Sequence, residues 1–324
     1  MQEQVLTMLA EAGEEGRRYL SGGYIAKELG ITRAAVWKYI EAIRADGGIV
    51  RAAPRLGYHL VNLDDLLQAG AVSVATSVVG QSYTYLPRVD STNSEAKRRV
   101  RAGCPEGLVV VADNQKAGRG RMGRGWLSVP GKGLYFSVVL FPKHLPMNKV
   151  ALLTPLTAVA VCRAIIDMTG LPVALKWPND LFLKGQKVGG ILLEAGGEAD
   201  SVKYAIIGIG INVNLTQDDI PSDLAQIATS LYLSGGSKVA RRKLLQKVLS
   251  SLDTYYVQSV NEGPESFLSE YRRLCLTLGR PIKFVWQNHT WSGVAQGIND
   301  DGGLIVKLDN QETLVLRSGD VHCL

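Results

Sequence analysis

Apolar positions near the N-terminus recur at helical spacing and predict three short helices followed by a hairpin. Ser21 can cap the second helix, and Thr32 can cap the third through its hydroxyl group. Residues 50–61 then alternate in character around a turn, as two paired strands do. The core faces of the first and third helices are expected to carry Val5, Leu6, Leu9, Ala12, Ala35, Val36, Ile40 and Ile43.

Two helices joined by a short glycine-containing turn, with a hairpin after them, predict a winged helix-turn-helix. The second helix of this motif, which is the third helix of the chain, would enter the major groove of DNA. Arg55 at the hairpin tip would reach a phosphate. A winged helix used only for protein contacts is the alternative interpretation. The side chains expected to contact DNA are Thr32, Arg33, Ala34, Trp37, Lys38 and Arg55.

From about residue 66 to residue 276, apolar runs of β-strand type alternate with helical stretches, which predicts a mixed α/β layer with helices on one side. The expected strands are Leu108–Ala112, Leu134–Phe141, Val173–Trp177, Gly189–Glu194 and Tyr204–Val213. The expected helices are Ser94–Arg101, Asn148–Thr169 and Lys238–Val260. After about Gly279, short alternating segments predict a small SH3-like β-barrel. The predicted fold class is therefore multidomain α+β, divided at 1–65, 66–276 and 277–324.

Composition and the N-terminus favour a cytoplasmic protein. The four cysteines lie far apart without metal-ligand spacing, so we expect free, buried thiols in a reducing compartment. The first residues are acidic and periodic, unlike a signal peptide. The apolar stretch Val150–Cys162 is too short to span a bilayer and predicts a buried helix, so no membrane association is expected.

The positive charge of the chain is concentrated in one segment. The 324 residues carry a net charge of +6, whereas residues 1–65 hold eight Lys/Arg against nine Asp/Glu. Residues 88–132 hold ten Lys/Arg against four Asp/Glu, which equals the excess of the whole chain. This distribution predicts an anion site rather than a uniformly basic surface for nucleic acid.

The segment Gly118–Trp126 reads Gly-Arg-Gly-Arg-Met-Gly-Arg-Gly-Trp and lies at the centre of that charge. It matches the spacing of a dinucleotide-binding loop, but a strand rather than a helix is predicted after it, so that interpretation fails. The phosphate loop of nucleoside triphosphatases fails as well, because no Gly-Lys-Ser/Thr is present. An RNA-binding arginine–glycine tract would be longer and repeated. The remaining interpretation is a loop that folds over an anion and binds it through Arg119, Arg121 and Arg124.

Five motifs in this order resemble the bifunctional biotin–protein ligases that also act as repressors of biotin operons. They are Asp90-Ser-Thr-Asn93, Gln115–Trp126, Lys176-Trp-Pro-Asn-Asp180, Lys187–Glu194 and Gly208–Val213. The helix-turn-helix Leu29–Lys38 and Gly57-Tyr58 in the wing match as well, so the resemblance covers nearly the whole chain. Met122 stands where some relatives carry another basic residue.

The resemblance implies a role for each matching position. Ser91, Thr92 and Asn93 would hydrogen-bond the ureido end of biotin, and Lys187 would lie beside the reacting carboxylate and the α-phosphate. The residues expected near the ring and carboxylate of biotin are Gln115, Arg119, Gly120 and Arg121. Those expected around ATP are Arg121, Arg124, Trp126, Lys176, Asn179, Asn212 and Arg317. Arg119, Arg121 and Lys187 are the catalytic candidates, and Asn179 and Asp180 are candidates for placing Mg²⁺.

The reaction implied by the resemblance fits these residue types. Biotin and ATP would form biotinyl-5′-adenylate, and the lysine of a biotin carboxyl carrier protein, a subunit of acetyl-CoA carboxylase, would then take the biotin. Two anions must meet in the first step, so cationic side chains are needed rather than a nucleophilic serine or cysteine. The near-neutral DNA-binding module suggests a homodimer on operator DNA, with the adenylate as corepressor. A lipoate or octanoyl ligase and a sensor without turnover are the alternatives.

Overall fold

Three regions of secondary structure follow one another in the computed structural model, which describes residues 1–324 except 15–18, 46–47, 62–64, 144, 199–200 and 288. The first region comprises α1 (Gln2–Glu14), α2 (Gly22–Leu29), α3 (Arg33–Ala45), β1 (Val50–Ala53) and β2 (Gly57–Leu60). The two strands form an antiparallel hairpin, and Tyr58 bridges to Leu20 in addition. The predicted winged helix-turn-helix is confirmed.

Caps and a separate core shape this first region. The Ser21 hydroxyl accepts a hydrogen bond from the Tyr24 N–H at 3.0 Å, and the Thr32 hydroxyl accepts one from the Ala35 N–H at 3.1 Å, as expected. The core extends along the chain as far as Ala71. It contains the predicted core residues except Ala35, which is half-buried.

The second region is built on a seven-stranded mixed sheet of strand order β3-β4-β5-β9-β8-β7-β6. Its strands are β3 (Ser82–Val89), β4 (Leu108–Gln115), β5 (Gly133–Leu140), β6 (Ala174–Lys176), β7 (Asp180–Leu183), β8 (Gln186–Glu198) and β9 (Ser201–Asn212). Its helices are α4 (Thr92–Arg101), α5 (Leu153–Thr169), α6 (Leu231–Gly235), α7 (Arg241–Glu262) and α8 (Glu265–Leu274).

Helices cover both faces of this sheet, so the prediction of helices on one side is wrong. Helices α5, α7 and α8 pack on the face that holds the main core. Helix α4 packs on the opposite face, where Ala96 meets Val110, Val139 and Ile206 in a smaller cluster. The physical reason is that β4, β5 and β9 are apolar on both faces at this end, and each face must be covered. The N-terminus of α4 thereby reaches the face opposite the main core.

The long apolar helix α5 is a core helix. The helical run Met147–Thr169, a 3₁₀ turn followed by α5, is long and apolar enough to cross a membrane by composition, so the prediction that the stretch is too short is wrong. The helix continues past Cys162 because apolar residues persist to Met168. In this structure 67% of its most apolar window is buried against the sheet and α7.

All four cysteines are free thiols, as expected, but they are not all buried. Cys162 and Cys275 are buried, whereas Cys104 and Cys323 are half-buried. Burial raises the pKa of the Cys162 thiol to about 12, so this group stays protonated and unreactive.

The third region is a five-stranded antiparallel sheet of order β13-β12-β11-β10-β14. Its strands are β10 (Pro281–Trp286), β11 (His289–Ile298), β12 (Leu304–Leu308), β13 (Thr313–Leu316) and β14 (Val321–Cys323). Its apolar face belongs to the same continuous core as the second region, through residues such as Ile282 and Val306. The expected all-β C-terminal region is confirmed, and its closure into an SH3-like barrel stays a prediction, as do the three domain boundaries.

Candidate active site and candidate DNA-binding surface

A cavity of about 480 Å³ lies on the α4 face of the central sheet and extends to the C-terminal region. Arg317 is exposed after β13, outside the set of described residues that line the cavity. The structure brings the other predicted site residues together. Those that line the cavity are Ser91, Thr92, Asn93, Gln115, Arg119, Gly120, Arg121, Arg124, Trp126, Lys176, Asn179, Asp180, Lys187 and Asn212.

At one end of the cavity, buried hydroxyl and amide groups form a connected network. The Gln115 Oε1 atom accepts hydrogen bonds from the Thr92 N–H at 2.9 Å and from the Thr92 hydroxyl at 3.1 Å. The hydroxyl of Ser137 lies 2.8 Å from the Thr92 hydroxyl and 2.6 Å from Asn93 Oδ1. The orientation of each amide is therefore set before any ligand arrives, and Gln115 keeps its Nε2 group as a donor.

Glycines on β8 and β9 make room for the site. Gly208 pairs across the sheet with Ser137, and a Cβ atom on it would lie 2.3 Å from Asn93 Oδ1. A Cβ atom on Gly210 would lie 2.5 Å from the indole ring of Trp126, and one on Gly190 would lie 3.2 Å from the same ring. Any larger residue at Gly208 or Gly210 would displace a site residue, which explains the Gly-x-Gly pattern.

The basic segment 118–126, hereafter the lid, folds into a small hairpin over the cavity. The Trp126 N–H donates to the Gly118 carbonyl oxygen at 2.9 Å, and the Gly120 N–H donates to the Arg124 carbonyl oxygen at 2.7 Å. Met122 at the tip has a φ of 54° and is 75% exposed. The lid therefore forms a hydrogen-bonded hairpin from which the three arginines project.

Each lid arginine is paired with an acceptor outside the lid. Arg119 Nη2 lies 3.0 Å from the Glu194 carboxylate. Arg121 donates to Asn179 Oδ1 at 2.8 Å and to the Gly319 carbonyl oxygen at 3.2 Å. Arg124 forms an ion pair with Asp320, which also lies 3.8 Å from Arg121. An incoming anion would therefore exchange with these acceptors rather than meet uncompensated charges.

Lys187 lies between a carboxylate and an aromatic ring. Its Nζ atom is 2.7 Å from Asp180 Oδ1 and 5.5 Å from the centroid of the Trp126 ring. The Lys187 backbone also exchanges hydrogen bonds with Ile227 and Thr229, which fixes the start of its side chain. The ammonium group is thus held in the cavity by an ion pair and a cation–π contact.

At the other end of the cavity, two buried polar atoms make no hydrogen bond within the described part of the protein. They are the Trp126 Nε1 donor and the Asn212 Oδ1 acceptor. The Asn212 amide is oriented because its Nδ2 group donates to the Thr229 carbonyl oxygen at 3.0 Å. Such groups are costly to bury unless a ligand satisfies them, so a ligand with both a donor and an acceptor fits here. Lys176 lies over the Phe182 ring at the same end.

The structure adds site residues that sequence reasoning missed. Ser137 is fully buried, and a hydroxyl inside the apolar run of β5 was a signal that could have revealed it. Glu194 is the last residue of the motif Lys187–Glu194, and no role was predicted for it from the sequence. Asp320 and His322 come from the C-terminal region. They lie nearly 200 residues from the lid in sequence, and no local pattern connects them to it.

The predicted DNA-contacting residues are all exposed. Trp37 is 54% exposed on α3, beside exposed Arg33 and Lys38. The opposite side of α3 carries Val36, Ile40 and Ile43 in the core. Arg55 is exposed at the tip of the hairpin with a φ of 65°. This placement presents one face of α3 and the wing tip to a partner.

The fold and the site define an enzyme that brings a carboxylate and a nucleotide together, joined to a helix-turn-helix module. Comparisons with known proteins agree. Residues 85–212 match the Biotin/lipoate A/B protein ligase family, residues 2–59 match an HTH domain, and residues 277–322 match the Biotin protein ligase C terminal domain. The chain belongs to the biotin protein ligase family, in its bifunctional ligase/repressor branch.

Two curated relatives and one solved structure support this assignment. The bifunctional ligase/repressor BirA of Bacillus spizizenii is 38% identical over 99% of this chain and 98% of its own length. BirA of Escherichia coli is 29% identical over 89% of this chain and 88% of its own length. The biotin protein ligase of Aquifex aeolicus, solved with biotin and ATP, has a TM-score of 0.64 and 31% identity, covering 75% of this chain and 98% of that one.

Proposed function

We propose that this chain is an ATP-dependent biotin–protein ligase of the cytoplasm that also represses transcription by binding operator DNA. The observation that carries the enzymatic part is that one cavity of about 480 Å³ gathers the expected biotin and nucleotide residues, Arg317 excepted. A cavity of this size is within the range of small-molecule sites. The helix-turn-helix module supports the second activity.

The ureido end of biotin lies against the start of α4 in this proposal. Ser91 and Thr92 supply hydroxyl groups, and Gln115 supplies the Nε2 donor that its contact with Thr92 leaves available. Asn93 belongs to the same group, with its amide engaged by Ser137 and Glu194. Neutral donors and acceptors suit a neutral ureido group, because no charge has to be desolvated.

The carboxylate of biotin then points toward Lys187 and the lid. One carboxylate oxygen attacks the α-phosphorus of ATP, the bond from that phosphorus to the bridging oxygen of the β-phosphate breaks, and pyrophosphate leaves. Arg119, Arg121 and Lys187 reduce the repulsion between the two anions and stabilise the charge that develops on the α-phosphate. Asp180 keeps Lys187 in place until then.

The nucleotide occupies the end of the cavity that holds Trp126 and Asn212. The amino group of adenine can donate to Asn212 Oδ1, and a ring nitrogen can accept from Trp126 Nε1. Arg124 and Lys176 are placed to meet phosphate oxygens in exchange for Asp320 and the Phe182 ring. Arg317 reaches the nucleotide only if the end of β13 moves toward the cavity.

Magnesium fits this site as part of the ATP substrate. Among the described residues, no three His, Cys, Asp or Glu side chains cluster as a metal site would require. The single Asn179 side-chain oxygen accepts a hydrogen bond from Arg121, whereas Asp180 pairs with Lys187 through Oδ1 and has a second carboxylate oxygen, so Asp180 is the better of the two candidate ligands. One carboxylate together with substrate phosphates is a common arrangement for Mg²⁺.

In the second step, the ε-amine of a carrier-protein lysine attacks the carbonyl carbon of the adenylate. The new amide C–N bond forms, the C–O bond to phosphate breaks, AMP leaves and the amine loses a proton. The mixed anhydride hydrolyses in water, so an ordered lid over the cavity protects it. A biotin carboxyl carrier domain of acetyl-CoA carboxylase is the acceptor in this proposal.

Isotope exchange between pyrophosphate and ATP tests the first step. The expected result is exchange that requires biotin and Mg²⁺ and that lipoate does not support. Exchange supported by lipoate alone would indicate the neighbouring ligase activity. A mass gain on an isolated biotin-acceptor domain tests the second step, and adenylate formation without that gain would indicate a sensor.

The repressor part of the proposal requires two copies of the chain on one operator. Residues 1–65 carry a net charge near zero, so a single module neutralises few phosphates. Adenylate that orders the lid and favours the dimer would act as corepressor. Gel shifts with and without biotin and ATP test this, and equal affinity under both conditions would contradict it.

A further inference from the structure

Glu194, at the end of the motif that begins with Lys187, connects two parts of the site. Its Oε2 atom accepts a hydrogen bond from Asn93 Nδ2 at 2.7 Å and one from Arg119 Nη2 at 3.0 Å. The second oxygen, Oε1, lies 3.4 Å from the same Arg119 nitrogen. One carboxylate on β8 thus holds the start of α4 and the base of the lid together.

On the α4 side, the contact sets the orientation of a buried amide. Asn93 is only 3% exposed, and its Oδ1 atom accepts from Ser137 while its Nδ2 group donates to Glu194. The Nδ2 group also lies 3.4 Å from the Leu192 carbonyl oxygen, so Glu194 supplies the shorter of its two contacts. Thr92 precedes Asn93 in the same helical turn and shares Ser137 with it, so its hydroxyl depends on the same arrangement.

On the lid side, the contact holds the base of the hairpin. Arg119 pairs with Gly125 across the hairpin, so fixing the Arg119 side chain also restrains the strand that leads to Trp126. The side chains of Arg119 and Glu194 are 44% and 26% exposed, so solvent screens their ion pair in part. The buried Asn93 contact on the same oxygen adds the fixed geometry that an exposed pair lacks.

We infer that Glu194 is a positioning residue that couples the biotin-binding end of the cavity to the closed lid through Asn93 and Arg119. The inference rests on the proposed function, since it assigns biotin to the end of the cavity that holds Thr92 and Asn93. A carboxylate is required here because both partners are donors and one of them is charged. Both partners belong to the biotin end, whereas the lid residues assigned to ATP, Arg121 and Arg124, keep their own partners Asn179 and Asp320, so the KM for ATP is expected to change less than the KM for biotin.

The test compares Glu194→Gln and Glu194→Asp with Glu198→Gln. Glu198 lies on the same strand, pairs with Lys203 and is 74% exposed on its side chain, which makes it a matched control. Loss of a charge-assisted contact predicts that Glu194→Gln raises the KM for biotin about 10-fold and the KM for ATP less than about 2-fold. Glu194→Asp keeps the charge on a shorter side chain and is expected to fall between Glu194→Gln and the wild type.

A second measurement follows the lid without any substrate. Trypsin cleaves after arginine, so the rate of cleavage after Arg121 and Arg124 reports how often the lid opens. Glu194→Gln is expected to raise this rate about 5-fold, consistent with a loss of roughly 1 kcal/mol. Glu198→Gln is expected to leave the rate unchanged, and thermal unfolding of each variant checks the fold. Arg119→Gln removes the same Arg119–Glu194 contact at an exposed residue. This variant replaces Glu194→Gln in the trypsin measurement if Glu194→Gln does not fold.

An unchanged KM for biotin, or an equal rise in both KM values, would overturn the inference. A lid that trypsin cuts at the wild-type rate in both Glu194→Gln and Arg119→Gln would overturn it too. If the wild-type protein showed no biotin-dependent exchange, the proposed function would fail instead. The trypsin measurement would still decide whether Glu194 holds the lid.

Discussion

The cavity and the winged helix present their polar residues in opposite ways. In the cavity, Thr92, Asn93, Asn179 and Asn212 are buried, and other protein groups hold them. On α3, the candidate contact residues are exposed, with Trp37 more than half accessible. Chemistry on a small ligand benefits from groups whose geometry is set in advance, whereas contacts to DNA phosphates depend on how many cations reach the backbone.

The cavity and the winged helix also differ in charge. The segment 88–132 carries the positive excess of the chain, while residues 1–65 are close to neutral. A single cavity can therefore bind its anions with one copy of the chain, but a single winged helix has few phosphate contacts to offer. Changes in the cavity are expected to have large, local effects, and changes on α3 small, additive ones.

The largest expected effect concerns Lys187→Gln. This change removes the ammonium group that lies 2.7 Å from Asp180 and over Trp126, so the charge on the α-phosphate loses a partner. The rate of biotin-dependent pyrophosphate exchange is expected to fall about 10²–10³-fold. Lys203→Gln, an exposed position on the same sheet that pairs with Glu198, is the control. A loss below about tenfold would remove Lys187 from the catalytic candidates.

A somewhat smaller effect is expected for Gly210→Ala, which tests how tightly the cavity is built. The new Cβ atom would lie 2.5 Å from the Trp126 ring and 2.8 Å from its Nε1 atom, so the indole must move. The KM for ATP is expected to rise about 10–100-fold because the ring and the donor both shift. In Gly297→Ala the nearest atom would be 3.7 Å away, so this variant should behave as the wild type. Equal KM values for ATP in the two variants would contradict this account of the glycine.

Arg33→Ala and Lys38→Ala test the other side of the comparison. Each is expected to weaken operator binding by several-fold up to about 10-fold and to reduce the slope of log affinity against log salt by about 1. The exchange rate should stay at the wild-type value. Lys247→Ala, on α7 and paired with Asp167, controls for the change in net charge. A drop in exchange rate with either α3 variant would break the separation between the two regions.

The smallest effect is expected on the solvent side of α4. Hydrogen bonds from the Arg98 guanidinium lower the pKa of Asp90 to about 2, although the pair is half-exposed. Because the pKa of Asp90 is lowered in the folded state, its pairing with Arg98 adds to the free energy of unfolding above the unfolded pKa near 3.9. This contribution is lost as the pH falls from there through about 2. Solvent screening keeps it below about 1 kcal/mol.

Urea unfolding of the wild type and Asp90→Asn at pH 7 and at pH 2 measures this contribution. The variant is expected to be slightly less stable than the wild type at pH 7, and the difference is expected to shrink at pH 2, where about half of the Asp90 carboxyl groups are protonated in the folded state. A difference that grows as the pH falls would contradict the sign of the shift.

The sequence pattern predicted those helices and strands in which apolar residues recur regularly along the whole element. The helices of the winged module and the apolar runs that became β5 and β9 were recognised in this way. Strand β3 was missed because Pro87 and Arg88 interrupt its alternation, and it lies at the edge of the sheet where such residues are tolerated. Helix α8 was missed because it is short and strongly polar on one side.

The site was predictable where its residues stand together in motifs, and not where distant segments meet. The lid and most of the residues that line the cavity come from the five motifs that carry the family resemblance. The partners that hold the lid, Asp320 and the Gly319 carbonyl oxygen, lie on the C-terminal region and are placed only by tertiary packing. Helix α4 was expected on the same face of the sheet as the other helices. The sequence pattern of a helix does not show which face of a sheet it will cover.

The contact between Arg124 and Asp320 bears on when the enzyme becomes complete during synthesis. The residues that line the rest of the cavity end with Ala228, and Asp320 follows about 90 residues later, which at about 5–20 residues per second takes on the order of 5–20 s. Until then the tip of the lid lacks its acidic partner. Nascent chains are therefore expected to hold the empty lid less firmly over the cavity than chains that have been made as far as Asp320.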